Sequence, residues 1–150
     1  MEKNNQYKEV IAILNDLLQI DIDAYHAYNQ SIDSMEESTY REKLTDFRSD
    51  HERHIGALSD LIHQLGGQPT DFSRDFKGFL ISGYTAIRSI TGTVGILKAM
   101  DTNEILTKDR YQQALKAPLP DSVKEVVTSH MHDEERHVSE IEKMLNEATK

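Results

Sequence analysis

The sequence predicts an all-α fold: a four-helix bundle made of two repeated helical hairpins joined by a long crossover. Three observations carry this. Apolar residues recur at alternating spacings of three and four over long stretches, the signature of one buried helix face. Strand signals are missing, with neither convincing period-two alternation nor an Asn-Gly or Asp-Gly hairpin turn. Finally, a gap-free offset of 83 residues superimposes Val10–Leu61 on Thr93–Met144, with ten identities in 52 positions. Ile13-Leu14 falls on Ile96-Leu97, Ile22 on Ile105, Tyr28 on Tyr111 and Glu42 on Glu125. Asp50-His51-Glu52-Arg53-His54 falls on Asp133-Glu134-Glu135-Arg136-His137.

The elements follow in order. A first helix from about Asn5 to Glu36 has the seam Leu14, Leu18, Asp21, Tyr25, Tyr28, Ile32 and Met35. Thr39 with Glu42 reads as a capping box opening a second helix. The seam of that helix is Leu44, Phe47, His51, His54, Leu58 and Leu61, and Gly66, Gly67 and Pro69 end it. Phe72, Phe76, Phe79, Leu80, Tyr84, Ile87 and Ile90 give a crossover helix over about 72–91, broken at Gly92. Its Phe stripe is expected to pack on the bundle or to form a dimer interface. The next helix spans about Thr93 to Lys116 and stops before Pro118 and Pro120. Ser122 with Glu125 reads as a capping box for the last helix, whose seam is Val123, Val127, His130, Glu134, His137, Ile141 and Met144. One domain over 1–150 results, with hairpins at about 5–65 and 93–148. Hairpins related by a two-fold axis across the bundle require a connection as long as the bundle itself.

Composition narrows the function. The chain has 150 residues, 29% charged and 37% hydrophobic, and a net charge of −9. An acidic chain is a poor partner for nucleic acid or anionic membranes, which attract basic patches. No apolar run reaches the roughly 18–20 residues of a membrane span, and the first ten residues lack the apolar stretch of a secretion signal. With no Cys, disulfides, thiolate metal sites and thiol catalysis are excluded. A cytoplasmic monomer or homodimer is the expected form. A carboxylate-pair hydrolase finds little support, since no Trp or Gly-rich loop is present to line a cleft.

The chemistry lies on the seams. Such positions ordinarily carry Leu, Ile, Val or Ala, yet one level of the bundle carries Asp21, His51, His54, Glu134 and His137, and the offset of 83 places Glu104 opposite Asp21. Seven residues beyond each of these last two acids stands a tyrosine, Tyr28 and Tyr111. Burying so many ionisable groups costs several kcal/mol for each charge left unpaired. A bound cation offsets that cost, and a hydrogen-bonded network fixing helix register is the alternative. Three-residue spacing puts His51 and His54, and likewise Glu134 and His137, on one helix face. Nitrogen donors among carboxylates suit iron, zinc, copper or nickel better than magnesium or calcium. Asp23 and Asp109 lie off the seams and read as surface charges, and His26, His63 and His132 read as exposed. Tyr28, Tyr111 and His130 read as buried neighbours of the cluster, the tyrosines packing with hydrogen-bonded hydroxyls.

These residues resemble the ferritin-like superfamily of rubrerythrins, bacterioferritins and di-iron carboxylate relatives, whose bundles take one Glu from each of two helices and Glu-x-x-His from each of the other two. Glu134-Glu135-Arg136-His137 matches that motif, Glu104 the single Glu, and Asp21 its partner with a shorter acid. Through "LNDLLQIDIDAYHAY", "LIHQLGGQP" and "TGTVGILKAMDTNEILTKDRYQQALKAPLP" the chain resembles a bacterial ferritin-like family of unassigned function. The resemblance implies a metal centre of one or two iron or zinc ions, held by Asp21, His51, His54, Glu104, Glu134 and His137. It implies Asp21 and Glu104 as terminal ligands, Glu134 as the remaining bridge, His51, His54 and His137 as terminal nitrogens, and Asp50 and Asp133 as acids that hydrogen-bond ligating histidines of the other hairpin. For iron it implies oxidation of Fe(II) or reduction of peroxide or dioxygen, a small oxidant being the partner. One departure stands out: His51 occupies a position where the superfamily motif has Glu, a residue that commonly bridges the two metals. A mixed dinuclear site, a mononuclear site and a vestigial, metal-free one stay open. The other reading is a non-enzymatic bundle, stress-associated or partner-binding, with a structural polar seam.

Overall fold

The computed structural model describes residues 7–71 and 92–150. Four helices build it: α1 (Lys8–Ser34), α2 (Ser38–Gln64), α3 (Thr93–Ala114) and α4 (Asp121–Ala148). The described residues contain no strand, so the all-α expectation holds. The crossover helix expected over about 72–91, with its Phe stripe, lies outside the described residues. No described helix is long and apolar enough to cross a membrane.

Within each hairpin the helices pack side by side, α1 on α2 and α3 on α4. Between hairpins α1 meets α3 and α2 meets α4, leaving α1 and α4 on one diagonal and α2 and α3 on the other. Helix direction follows from the two apolar clusters. At one end, Val10, Leu14 and Leu18 from the start of α1 pack with Leu58, Leu61 and Ile62 from the end of α2 and Val123 and Val127 from the start of α4. At the other, Tyr28 and Met35 pack with Leu44 and Phe47, Ile96, Leu97 and Met100, and Ile141 and Met144. Hence α2 and α3 run the same way, and the end of α2 and the start of α3 lie at opposite ends of the bundle. A helix of 27 residues such as α2 measures about 40 Å at 1.5 Å per residue. The polar seam residues lie between the two apolar clusters, which close the bundle above and below them.

The seam residues expected of α2 and α4 are all buried, as are Met35, Met100 and Met144. The helix starts differ from expectation. α2 begins at Ser38 after Glu37, and α4 at Asp121 after Pro120, neither with a side-chain cap hydrogen bond. The capping boxes Thr39/Glu42 and Ser122/Glu125 are therefore not formed. Extended backbone at Glu37 and the fixed φ of Pro120 turn the chain into each helix two residues earlier. The end of α2 is as read. Gly66 adopts φ 87°, and the N–H groups of Gly66 and Gly67 donate to the carbonyls of His63 and Ile62, a Schellman termination that needs a residue free to take positive φ. A Cβ on Gly67 would sit 2.7 Å from Ile11 Cγ2, so this turn closes directly onto α1. Asn15 then ties the outgoing chain to α1, donating to the Gln68 carbonyl and accepting from the Thr70 N–H.

Two surface expectations fail. Asp23 is fully buried and accepts a hydrogen bond from Gln19 Nε2 at 2.9 Å. Every residue from Ile20 to Ala24 is buried, so α1 is enclosed on all sides at this level and the seam is not its only inward face. His26 is half-buried against Tyr25 rather than exposed, while Asp109, His63 and His132 are exposed as expected.

Candidate metal centre

Each helix delivers its polar residues at mid-length. On α1, Asp21 takes the turn between Leu18 and Tyr25. On α2, His51 and His54 stand one turn apart, between Phe47 and Leu58. On α3, Glu104 precedes Tyr111 by two turns. On α4, His130, Glu134 and His137 fill three successive seam positions. Asp21, His51, His54, Glu104, Glu134 and His137 have no solvent exposure at all. They lie where flanking Leu, Ile and Met shut out water, so each charge needs a partner inside the cluster.

The inner contacts form two halves. In one, Asp21 Oδ1 lies 2.7 Å from His51 Nδ1 and 3.1 Å from His54 Nδ1. In the other, Glu104 Oε1 lies 3.1 Å from His51 Nε2, and Glu104 Oε2 lies 3.1 Å from His137 Nδ1. Each acid also takes a buried tyrosine hydroxyl from the antiparallel helix of the other hairpin. Tyr28 donates to Glu104 at 2.8 Å and Tyr111 donates to Asp21.

Glu134 sits between the halves and is the exception. Its oxygens lie 3.6 Å from His51 Nε2, 3.6 Å from His54 Nδ1 and 3.5 Å from His137 Nδ1. These separations exceed normal hydrogen bonds, and among the described residues no donor reaches either buried oxygen in hydrogen-bonding geometry; the Glu104 carboxylate beside it can only accept.

An outer layer positions the histidines. His54 Nε2 lies 2.8 Å from Asp133 Oδ2, and His137 Nε2 lies 2.8 Å from Asp50 Oδ2. A carboxylate only accepts, so the outer nitrogen of each ring is an N–H, while the inner Nδ1 is turned toward the carboxylates of the cluster and donates to them in the absence of an ion. Arg53 and Arg136 close a ring around the two acids: each guanidinium donates to both Asp50 and Asp133. The rings are also wedged in place, His54 stacked on His130 at 3.8 Å between centroids and His137 tilted against Phe47 at 4.5 Å, with 36° between the planes.

Electrostatics follow from this packing. Burial alone would raise the Asp21 carboxyl, but the charge of His54 and hydrogen bonds from His51 and His54 hold it well below the usual range. Glu104 is likewise held low against burial, chiefly by His51. Burial and the neighbouring Glu104 push Glu134 well above the usual range. Burial would depress His51 and His137, but the surrounding carboxylates win. His51 is raised well above its ordinary value, and His137 up to about 9. Burial, then the charge of His54, takes His130 down to about 3, so it is a neutral packing partner. The cluster thus retains protons on His51, His137 and Glu134 that a divalent cation would displace.

Asp21, His51, His54 and Glu134 each present a ligand atom within 4.8 Å of one another, and His51, Glu104, Glu134 and His137 do the same. Two nitrogens and two oxygens could hold a transition-metal ion in either set. All eleven residues singled out from the sequence therefore lie in one neighbourhood. Six make up the two sets. Asp50 and Asp133 hold the outer nitrogens, Tyr28 and Tyr111 hold the acids, and His130 covers His54. The residues not foreseen are Phe47, Arg53 and Arg136. Arg53 and Arg136 were visible as an identical pair at the offset of 83, whereas Phe47 had no polar signal.

Comparison with known proteins agrees with this architecture. Residues 9–117 match the family model described as "Domain of unknown function (DUF2383)". The fold is similar to a crystal structure of ferritin like, diiron-carboxylate proteins from Bacillus anthracis str. Ames, with a TM-score of 0.72, 22% identity, and coverage of 92% of this chain and 96% of that one. No curated protein matches the chain.

Proposed function

This chain belongs to the family described as a domain of unknown function, DUF2383, on a ferritin-like four-helix fold, and we propose that it is a metal-binding protein whose mid-bundle His/carboxylate cluster takes iron or zinc. The observation that carries this reading is Glu134: two buried carboxyl oxygens that accept from no donor among the described residues, surrounded at 3.5–3.6 Å by nitrogens of three histidines. Burial and the neighbouring Glu104 favour its protonated form, and a cation among these nitrogens and oxygens would take the place of that proton. The similar diiron-carboxylate structure supports the same reading.

In this proposal Asp21 and His54 serve one half, Glu104 and His137 the other, with His51 and Glu134 between. Tyr28 and Tyr111 hold Glu104 and Asp21 in fixed orientations. Asp50 and Asp133 keep the outer nitrogens of His137 and His54 protonated, so that each Nδ1 offers its lone pair inward. The apolar clusters at either end keep bulk water from the site. Iron, when bound, would supply a redox couple, Fe(II) being oxidised as peroxide or dioxygen is reduced; zinc supplies none.

Anaerobic loading with Fe(II), followed by exposure to dioxygen or hydrogen peroxide, tests this. The expected result is an iron-dependent absorbance change that the His54→Ala/His137→Ala variant lacks. A second reading has its own observation: His51 already contacts Asp21 and Glu104, closing much of the network without an ion. Protein that takes up no metal, shows no absorbance change and forms a stable dimer would favour that structural role.

A further inference from the structure

Resting on the metal-binding reading above, we infer that His51 bridges two metal ions through both of its ring nitrogens, in the position where the ferritin-like motif carries a bridging carboxylate. The inference starts from the one mismatch at the heart of the cluster. At the offset of 83, acid faces acid, Asp21 with Glu104. Tyr28 matches Tyr111, Asp50 matches Asp133, Arg53 matches Arg136 and His54 matches His137. His51 alone among the two ligand sets meets a different residue type, Glu134.

The three histidines differ in where their nitrogens point. His54 and His137 each commit Nε2 to an outer carboxylate, Asp133 and Asp50. Only Nδ1 is left to each as a ligand. His51 has no outer partner. Its Nδ1 faces Asp21 at 2.7 Å, and its Nε2 faces Glu104 at 3.1 Å and Glu134 at 3.6 Å. The ring therefore spans the two halves of the cluster, and His51 is a member of both four-residue sets. Glu134 is the other shared member. A ligand serving both sets replaces a terminal role for His51 with a bridging one.

The chemistry balances without redox. Each nitrogen lone pair goes to one ion: the first ion displaces one N–H proton of the His51 ring and the second ion displaces the other, both leaving to solvent. The geometry is distinctive. With metal–nitrogen bonds of about 2.0–2.1 Å on both sides of the ring, the ions sit about 6 Å apart. Oxygen-bridged two-metal sites hold their ions at about 3.5–4 Å. Each ion keeps two nitrogens and two oxygens, a set that suits zinc and copper(II).

The full chain crystallised with Zn(II) provides the test, by anomalous diffraction at the zinc edge. The expected result is two ions per chain, about 6 Å apart, each bonded to one nitrogen of His51. Two ions at about 3.5–4 Å joined by Glu134 alone, or a single ion, would overturn the bridge while leaving the metal centre standing. No ion at all would overturn both. Copper(II) loading gives an independent readout by electron paramagnetic resonance. Magnetic coupling is expected in the unaltered chain and lost in His51→Gln. Coupling that survives His51→Gln would overturn the bridge, and the diffraction result on the unaltered chain holds if the variant fails to fold.

Discussion

The Nε2–H of His137, on α4, donates to Oδ2 of Asp50, on α2, across 2.8 Å, while Nδ1 of the same ring faces Glu104 at 3.1 Å. One bond fixes the tautomer and thereby aims the other nitrogen into the cluster. His54 and Asp133 repeat the arrangement in the other half. Asp50→Asn and Asp133→Asn should each weaken metal binding by about 10–100-fold, because the ring loses its charged anchor and some ligand basicity. Competition against a chromophoric chelator measures this. Affinities equal to that of the unaltered chain would exclude the anchoring role.

Proton release should accompany metal binding. Carboxylates around His137 hold its value up to about 9, so near neutral pH the ring is protonated and an ion must displace that proton. Affinity should therefore rise with pH, by up to tenfold per unit for this group, and level off above about 9. Titration calorimetry in buffers of different ionisation enthalpy counts the protons. A pH-independent affinity between 6 and 8 would contradict the assignment.

Metal-free protein should show a bounded stability window. The raised value of His137 contributes stability that is complete below its unfolded value of 6.5 and is lost as pH rises through about 9. The depressed values of Asp50 and Asp133 contribute stability present above their unfolded value of 3.8 and lost as pH falls below it. Thermal melting in the presence of chelator should thus peak between about pH 4 and 6.5 and decline toward pH 9. A melting temperature that climbs from pH 6.5 to 9 would run against the sign.

Glu134→Gln separates the acid's metal role from its structural one. The swap nearly conserves volume, so metal-free stability should change by less than about 1.5 kcal/mol. Metal at 100 times its Kd stabilises a protein by about 2.7 kcal/mol, and this increment should vanish in the variant. Melting curves with and without zinc measure both quantities.

The bundle and the ligand sets were legible in the sequence because they obey helical spacing. Asp21, His51, His54, Glu134 and His137 interrupt seams that are otherwise apolar, and the offset of 83 supplied Glu104. The burial of Asp23 was not legible, because periodicity along α1 describes one face and cannot report enclosure on every side. The helix starts at Ser38 and Asp121 were not legible, because the capping-box pattern at each is outweighed by the backbone preference of the residue before it. The packing of Phe47 against His137 joins residues of opposite hairpins, a contact set by how α2 meets α4 and not by spacing within either helix.

Phe47 couples the apolar end of the bundle to the cluster. It is 1% exposed and supports the His137 ring. Phe47→Ala should cost about 3–5 kcal/mol of folding stability and should also weaken metal binding, since the ring it supports becomes free to turn. Denaturant midpoints and chelator competition on the same sample test the two effects together. A loss of stability without loss of affinity would confine Phe47 to packing.

The most direct test of the metal centre is elemental analysis by mass spectrometry of protein purified without chelator. The proposal expects at least about one transition-metal ion per chain, and its absence from His54→Ala/His137→Ala prepared in parallel. No metal in the unaltered chain, with the double variant equally stable, would contradict it.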